Sequence, residues 1–209
     1  MINDYVIEFP EFNNLFDKDQ LLHSCRLNKT FAEWKKGLSS NEIDIVSKMK
    51  MEHFLSEDPD AHAIKNYGVT SYEVPETQPE VKHIFEAINQ ELMWKKPMGW
   101  LNCHNGNEWT RPHIDAIRNA VFQFPIYPKK YTLVYLDKNN WDRNSYPQPK
   151  HIWEHKVSCP IIENVSIPHC VYDKGIKRIH FQISLYFKDY SWEKIKKYVK
   201  NGELFSKKI

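Results

Sequence analysis

Two histidines, an aspartate and an arginine carry the chemical signal of this sequence. His113 and Asp115 stand two positions apart in "WTRPHIDAIRN". On an extended segment residues i and i+2 share a face, so both side chains can reach one cation. With ten histidines in the chain, chance alone gives roughly half of one such pair, so His-x-Asp by itself assigns nothing. His169 follows 56 residues after His113, directly behind Pro168 at the head of a predicted strand, and offers a second imidazole. Two imidazoles and one carboxylate on one side of an octahedral metal leave the opposite side open to small ligands, which suits non-haem Fe(II). Arg178 lies nine residues further on. An antiparallel neighbour strand would return its guanidinium to the same cavity, where it can hold a carboxylate through two parallel hydrogen bonds.

These residues fall in the half of the chain that reads as strands. From about residue 99 to 187 the sequence is β-rich and punctuated by proline, with candidate strands "GWLNCH", "VFQFPI", "YTLVYL", "HIWEHKVS", "PIIEN", "HCVYD" and "RIHFQISLYF". Short strands separated by turn signals predict a sandwich or jelly roll. Before residue 95 the period is helical. "SSNEIDIVSKMKMEHFL" opens on Ser39 with Glu42 three residues on, and "TQPEVKHIFEAINQEL" opens on Thr77 with Glu80, both capping-box patterns. "SWEKIKKYVK" predicts a closing helix capped by Ser191. The expected fold class is therefore α+β: a jelly-roll core with N-terminal helices packed on one sheet and a short C-terminal helix. A single domain is expected over 1–209, with 1–98 mainly helical support, 99–187 the core, and 188–209 the C-terminal helix and tail.

The last strand divides into two rows. Ile179, Phe181, Ile183, Leu185 and Phe187 point one way; Arg178, His180, Gln182, Ser184 and Tyr186 point the other. Either the polar row faces water, or it lines a cavity while the apolar row packs under the helices. The placement of Arg178 relative to His169 favours the cavity.

Composition narrows the function classes. The chain has 209 residues, 41% of them hydrophobic and 14% aromatic, which supports a sizeable core and excludes disorder. A net charge of +2 gives no reason to expect nucleic-acid or membrane binding. No apolar run approaches a membrane span, and "MINDYVIEFPEF" lacks the basic start of a signal peptide. Cys25, Cys103, Cys159 and Cys170 show no CxxC spacing and are expected to be reduced thiols of a cytoplasmic protein. "HIWEH", residues 151–155, matches the H-x-x-E-H pattern of some zinc peptidases. That chemistry needs a helix, and this segment reads as a strand between prolines.

"PHIDAIRNAVFQFPI", "IIENVSIPHCVYD" and "KRIHFQISLYF", in this order, resemble the 2-oxoglutarate/Fe(II) dioxygenase superfamily over residues 99 to 187. The resemblance is to its prolyl-hydroxylase-like and aspartyl/asparaginyl-hydroxylase-like branches, of the short type carried by bacteria and their phages, and the expected location is cytoplasmic, in a host cytoplasm if the protein is phage-encoded. It implies a double-stranded β-helix and hydroxylase activity with Fe(II), 2-oxoglutarate and O2. It implies iron ligands at His113, Asp115 and His169, and Arg178 on the remote carboxylate of 2-oxoglutarate. His180 and Gln182 would face the co-substrate and substrate pocket. A hydroxyl group on a following strand supports the co-substrate in such proteins; Tyr131, Thr132 and Tyr135 are all candidates. Asn164 would shape the loop before His169, Arg118 would hold the strand or a substrate carboxylate, and Trp109 would be core or pocket wall. The prime substrate is expected to be a peptidyl side chain, an amino acid or a small metabolite. Two alternatives remain at this stage: a catalytically silent jelly-roll binding module, and a cupin-type metal protein with another reaction.

Overall fold

The computed structural model describes residues 1–27, 64–66, 69–104, 112–115, 118–127, 130–141, 151–171, 178–189 and 191–209. Its strands form two antiparallel sheets. The larger runs β1 (Val6–Glu8), β8 (Ile161–Asn164), β5 (Ala120–Tyr127), β10 (Arg178–Leu185), β4 (Met98–His104), β3 (Val69–Val74) and β2 (Ile64–Asn66). The smaller runs β7 (His151–Val157), β6 (Tyr131–Leu136) and β9 (His169–Val171). From β5 to β10 the chain crosses repeatedly between the sheets, the wiring of a jelly roll. With α1 (Lys18–Leu27), α2 (Lys82–Ala87) and α3 (Trp192–Lys200) added, the fold is α+β with a double-stranded β-helix core.

The two rows of β10 settle which face is which. Ile179, Phe181, Ile183 and Leu185 join one apolar cluster with Leu21, Leu22 and Cys25 of α1, Ile84 and Phe85 of α2, and Ile195 of α3. Phe181 meets Phe16, Phe85 and Phe124 at ring-centroid distances of 5.8, 6.4 and 5.7 Å. The helices therefore cover the outer face of the large sheet. The opposite row, Arg178, His180, Gln182 and Ser184, is buried as well and faces the small sheet. A polar row buried between two sheets is costly unless its groups are partnered, which marks this space as the place to look for function.

Three features of the N-terminal half differ from the sequence expectation. "VTSYEV", residues 69–74, is a strand paired with β4, and β1 and β2 also precede residue 98. The helix expected from Thr77 is only one and a half turns, Lys82–Ala87, without a side-chain cap. Glu80 does not cap it: its carboxylate accepts from Ser24 and Gln78 instead. The helix stops because Ile88 turns extended and bridges to Phe205 of the C-terminal tail, so tertiary pairing overrides helical period. The helix expected from Ser39 lies outside the described residues. Ser191 does stand at the start of α3, with no side-chain cap bond. The "HIWEH" segment is strand β7, which removes the i, i+4 helical geometry a zinc peptidase would need. The four cysteines are buried and free, and no described helix is long and apolar enough to cross a membrane.

Gly99, the second residue of β4, stands opposite Val74. A Cβ there would sit 2.6 Å from the Val74 carbonyl oxygen and 2.8 Å from Cζ of Phe85. The first clash is with backbone inside a ladder and cannot be relieved by a rotamer change. Gly99→Ala is therefore expected to destabilise the protein by about 1–3 kcal/mol, readable as a lower urea midpoint. An unchanged midpoint would mean that β3 and β4 are not held this tightly.

Candidate metal centre

The segment carrying His113 and Asp115 adds itself to the edge of the small sheet. His113 and His169 form an isolated antiparallel bridge, each amide donating to the other's carbonyl at 3.0 Å. Such a pair sets the two side chains side by side on one face, and the imidazole centroids lie 4.3 Å apart. Two residues on, the Asp115 amide donates to the Val165 carbonyl at 3.0 Å, which returns the carboxylate to the same face. One ligand atom from each of His113, Asp115 and His169 then falls within 4.8 Å of the others. His113 Nε2 and Asp115 Oδ1 are 3.6 Å apart. Side-chain exposure falls from 28% at His113 to 13% at Asp115 and 7% at His169, so the group opens to solvent on the His113 side.

The surroundings prepare these atoms for a cation. His169 Nδ1 donates to the Ile167 carbonyl at 2.8 Å, which fixes the proton there and leaves the Nε2 lone pair for a metal. Burial lowers the pKa of His169 against the opposing pull of Asp115, keeping the imidazole neutral. Burial raises the cost of charge on Asp115, but Arg118, His169 and His113 outweigh it and hold the carboxyl below its ordinary range. Arg118 is the main agent. Its Nε donates to Asp115 Oδ2 at 2.5 Å and its Nη1 to Ser184 Oγ at 2.7 Å, tying the carboxylate to the polar row of β10. A neutral imidazole with its ε nitrogen turned toward the group, a second imidazole and an ionised carboxylate suit a divalent metal ion.

Glu163 on β8 is the residue that sequence reasoning missed. It is 1% exposed, and its Oε1 lies 3.7 Å from His169 Nε2. Gln123 Nε2 donates to its other oxygen, and Tyr131 OH donates to Gln123 Oε1 at 2.5 Å. Burial and the nearby Asp115 charge push its pKa up to about 7, against the pull of His113, Arg118 and Arg178. The available signal was a carboxylate directly behind the apolar residues Pro160, Ile161 and Ile162 in "PIIEN".

Arg178 lies further along the same interior. It is 3% exposed, with its guanidinium carbon 4.5 Å from the Tyr131 ring centroid and its Nη2 donating to His104 Nε2 at 2.7 Å. His104 pairs with Arg178 across β4 and β10, and Asn102 pairs with His180 in the same register. Asn102 Nδ2 lies 3.1 Å, and Gln182 Oε1 3.3 Å, from His180 Nε2. Burial first, and the Arg178 charge second, hold His104 and His180 well below the usual histidine range. Both rings are neutral beside a fixed cation. Asn102 Oδ1 and His180 Nδ1 are buried without a hydrogen-bond partner among the described residues. With Asn102 Nδ2 on His180 Nε2, the unpartnered Nδ1 of His180 carries the ring proton, and a free N–H beside a buried guanidinium fits an anionic ligand, while Asn102 Oδ1 would accept from a donor on that ligand. His104 and Asn102 were also missed, although the alternation of "LNCH" places both on one face.

The hydroxyl candidates separate. Tyr131 lies against Arg178, and Thr132, the next residue of β6, alternates to the opposite face of that strand. Tyr135 OH donates to the Tyr5 carbonyl at 2.9 Å. Asn164 shapes the β8–β9 loop, accepting from Ser166 N and Oγ at 3.2 and 2.6 Å and donating to the Asp4 carbonyl at 3.0 Å. Trp109 lies outside the described residues.

No family model and no curated protein matches the chain. Among solved structures, a prolyl-4-hydroxylase of Pseudomonas putida is similar over 88% of this chain and 93% of its own, at 12% identity and a TM-score of 0.44. An oxalate decarboxylase of Bacillus subtilis is similar over 60% of this chain and 28% of its own, at 9% identity and 0.36. An RmlC-like cupin protein of Ralstonia eutropha is similar over 68% of this chain and 79% of its own, at 13% identity and 0.31. At these identities and scores none of the three assigns a role to a residue here.

Proposed function

We propose that this chain is a non-haem Fe(II)- and 2-oxoglutarate-dependent dioxygenase that hydroxylates a C–H bond of a peptidyl side chain, an amino acid or a small metabolite. One observation carries the reading: a His/Asp/His donor group and a buried guanidinium belong to one connected interior. Arg118 links Asp115 to Ser184 in the row of Arg178. On the other side Glu163, Gln123 and Tyr131 form an unbroken chain that ends on Arg178.

His113, Asp115 and His169 would hold the iron through one atom each. Arg178 would hold the far carboxylate of 2-oxoglutarate, with Tyr131 as a wall and His180 and Gln182 as polar lining. The bound Fe(II) and 2-oxoglutarate supply the oxidising chemistry with O2, converting the co-substrate to succinate and CO2 as the substrate C–H becomes C–OH. The protein's part is to position and to protect. Arg118 keeps Asp115 ionised and aimed, burial of β10 keeps water from the co-substrate, and the exposed flank at His113 is the way in for the substrate.

One observation favours a second reading, a cupin-type metal protein with a different reaction: the buried carboxyl of Glu163 beside His169. The test is turnover of 2-oxoglutarate by Fe(II)-loaded protein in air, followed as succinate, together with the visible charge-transfer band of the anaerobic Fe(II)/2-oxoglutarate complex. The dioxygenase reading expects both. Well-folded, iron-loaded protein with neither the band nor succinate would leave the cupin-type reading standing alone.

A further inference from the structure

We propose that Asn102 is a positioning residue: by donating to Nε2 of His180 it fixes the tautomer of that ring, so that a neutral Nδ1–H is offered to the anion held by Arg178. The inference deepens the proposed function and rests on it only for the identity of the anion, 2-oxoglutarate.

Strand register brings three polar side chains together. Asn102 and His180 are direct partners across β4 and β10, and Gln182, two residues further along β10, shares their face. All three are buried. Two amides reach Nε2 of His180: Asn102 Nδ2 at 3.1 Å and Gln182 Oε1 at 3.3 Å. They ask opposite things of the ring. An amide NH2 can only donate, so the Asn102 contact needs Nε2 bare and the proton on Nδ1. An amide oxygen can only accept, so the Gln182 contact needs the proton on Nε2. A neutral imidazole has one ring proton and can satisfy only one of them. The shorter contact, to Asn102, decides. A half-turn of the Gln182 amide then puts its NH2 where its oxygen stands.

The choice of tautomer matters because His180 has no charge to offer. Burial and the Arg178 cation hold it well below the usual histidine range, so its one means of gripping an anion is its single N–H. With Asn102 in place that N–H is on Nδ1, which is buried and without a hydrogen-bond partner among the described residues. The His180 ring stacks on His104 at a centroid distance of 5.3 Å and lies 6.3 Å from the Tyr131 ring. Those are the two side chains that Arg178 itself touches, so the ring borders the pocket of the guanidinium. Without Asn102 the proton goes to Nε2, where Gln182 accepts it, and Nδ1 turns a lone pair on the carboxylate. One amide on the neighbouring strand thus sets whether this histidine attracts an anion or repels it.

The deciding experiment is nitrogen NMR of the full-length, ligand-free protein with ring-labelled histidine, in which a protonated and a bare ring nitrogen differ widely in shift. His180 is assigned by its loss in His180→Leu protein. Wild type is expected to show Nδ1–H and a bare Nε2. Gln182→Met is expected to keep that tautomer and Asn102→Leu to reverse it. Asn102→Asp, whose carboxylate can only accept, gives the same reversal if the leucine variant does not fold. The second reading is calorimetry without O2 on protein loaded with Mn(II), a redox-stable stand-in for Fe(II). There Asn102→Leu is expected to bind 2-oxoglutarate at least about tenfold more weakly, the loss of one hydrogen bond to a charged group, with Mn(II) affinity unchanged. Nε2–H in wild type, or Nδ1–H persisting in folded Asn102→Leu protein, would overturn the proposal. So would wild-type affinity for 2-oxoglutarate in a variant whose tautomer has reversed. Wild-type protein that takes Mn(II) but no 2-oxoglutarate would instead end the dioxygenase reading, and the tautomer in Asn102→Leu protein would still decide the role of Asn102.

Discussion

In His169→Ala protein, affinity for Mn(II) or Fe(II) falls at least about 100-fold and succinate formation drops to background, while the fold survives. His169 is the most buried of the three donors, beside the His113–Asp115 pair and 3.7 Å from Glu163 Oε1. Its loss leaves two donors on a solvent-facing flank, and second-sphere partners alone are worth roughly 10–100-fold in affinity, so a ligand itself is worth more. The fold is expected to persist because the bridge to His113 is made by backbone atoms, which alanine retains. The imidazole is held neutral, so its removal strands no buried charge; it frees only the Ile167 carbonyl, at about 1–3 kcal/mol. Calorimetric metal titration of the variant, paired with its thermal melt, reads both effects. Wild-type metal affinity in the variant would take His169 out of the donor set and end the iron-site reading.

How much of this was legible beforehand depended on the range of the forces involved. The seven strands after residue 98 were readable because period-2 alternation is local: β6 appears at Tyr131–Leu136 and β10 at Arg178–Leu185, where the alternation placed them. The side to which β10 turns its polar row was not local. It followed from the helices covering Phe181 and its neighbours. The α2 helix shows the limit, since its end is set by a bridge to Phe205, more than a hundred residues away in sequence. At the site, His113, Asp115 and His169 could be singled out because metal-binding chemistry restricts residue types. Glu163, Gln123 and His104 could not, because each acquires its meaning from a partner on another strand. Arg118 was legible as near Asp115 but not as its holder, and the structure gives it that role through the bonds to Asp115 and Ser184.

Replacing Arg178 by leucine tests the other half of the proposal, and the expected outcome is selective. The KM for 2-oxoglutarate rises roughly 100- to 1,000-fold, while Mn(II) affinity stays within about twofold of wild type. A hydrogen bond to a charged group is worth about 1.5–3 kcal/mol, and the guanidinium can give a carboxylate two, so a loss of about 3–4 kcal/mol corresponds to that range. The metal donors are expected to be untouched because the path from Arg178 toward them runs through Tyr131, Gln123 and Glu163. Lysine restores the charge but not the planar fork, so Arg178→Lys falls between wild type and leucine. Stability supplies an internal control. In the ligand-free protein Arg178 is a buried cation beside two histidines that its charge helps keep neutral, and an apolar side chain of similar length removes its desolvation cost, which offsets the lost hydrogen bond to His104. A variant with an unchanged melting temperature, intact metal binding and a greatly raised KM can have lost only the grip on the co-substrate. A variant that binds 2-oxoglutarate as wild type does would place the co-substrate carboxylate elsewhere. Arg178 would then be an internal cation that shapes the Tyr131 face, and the buried polar row of β10 would need a different ligand to account for it.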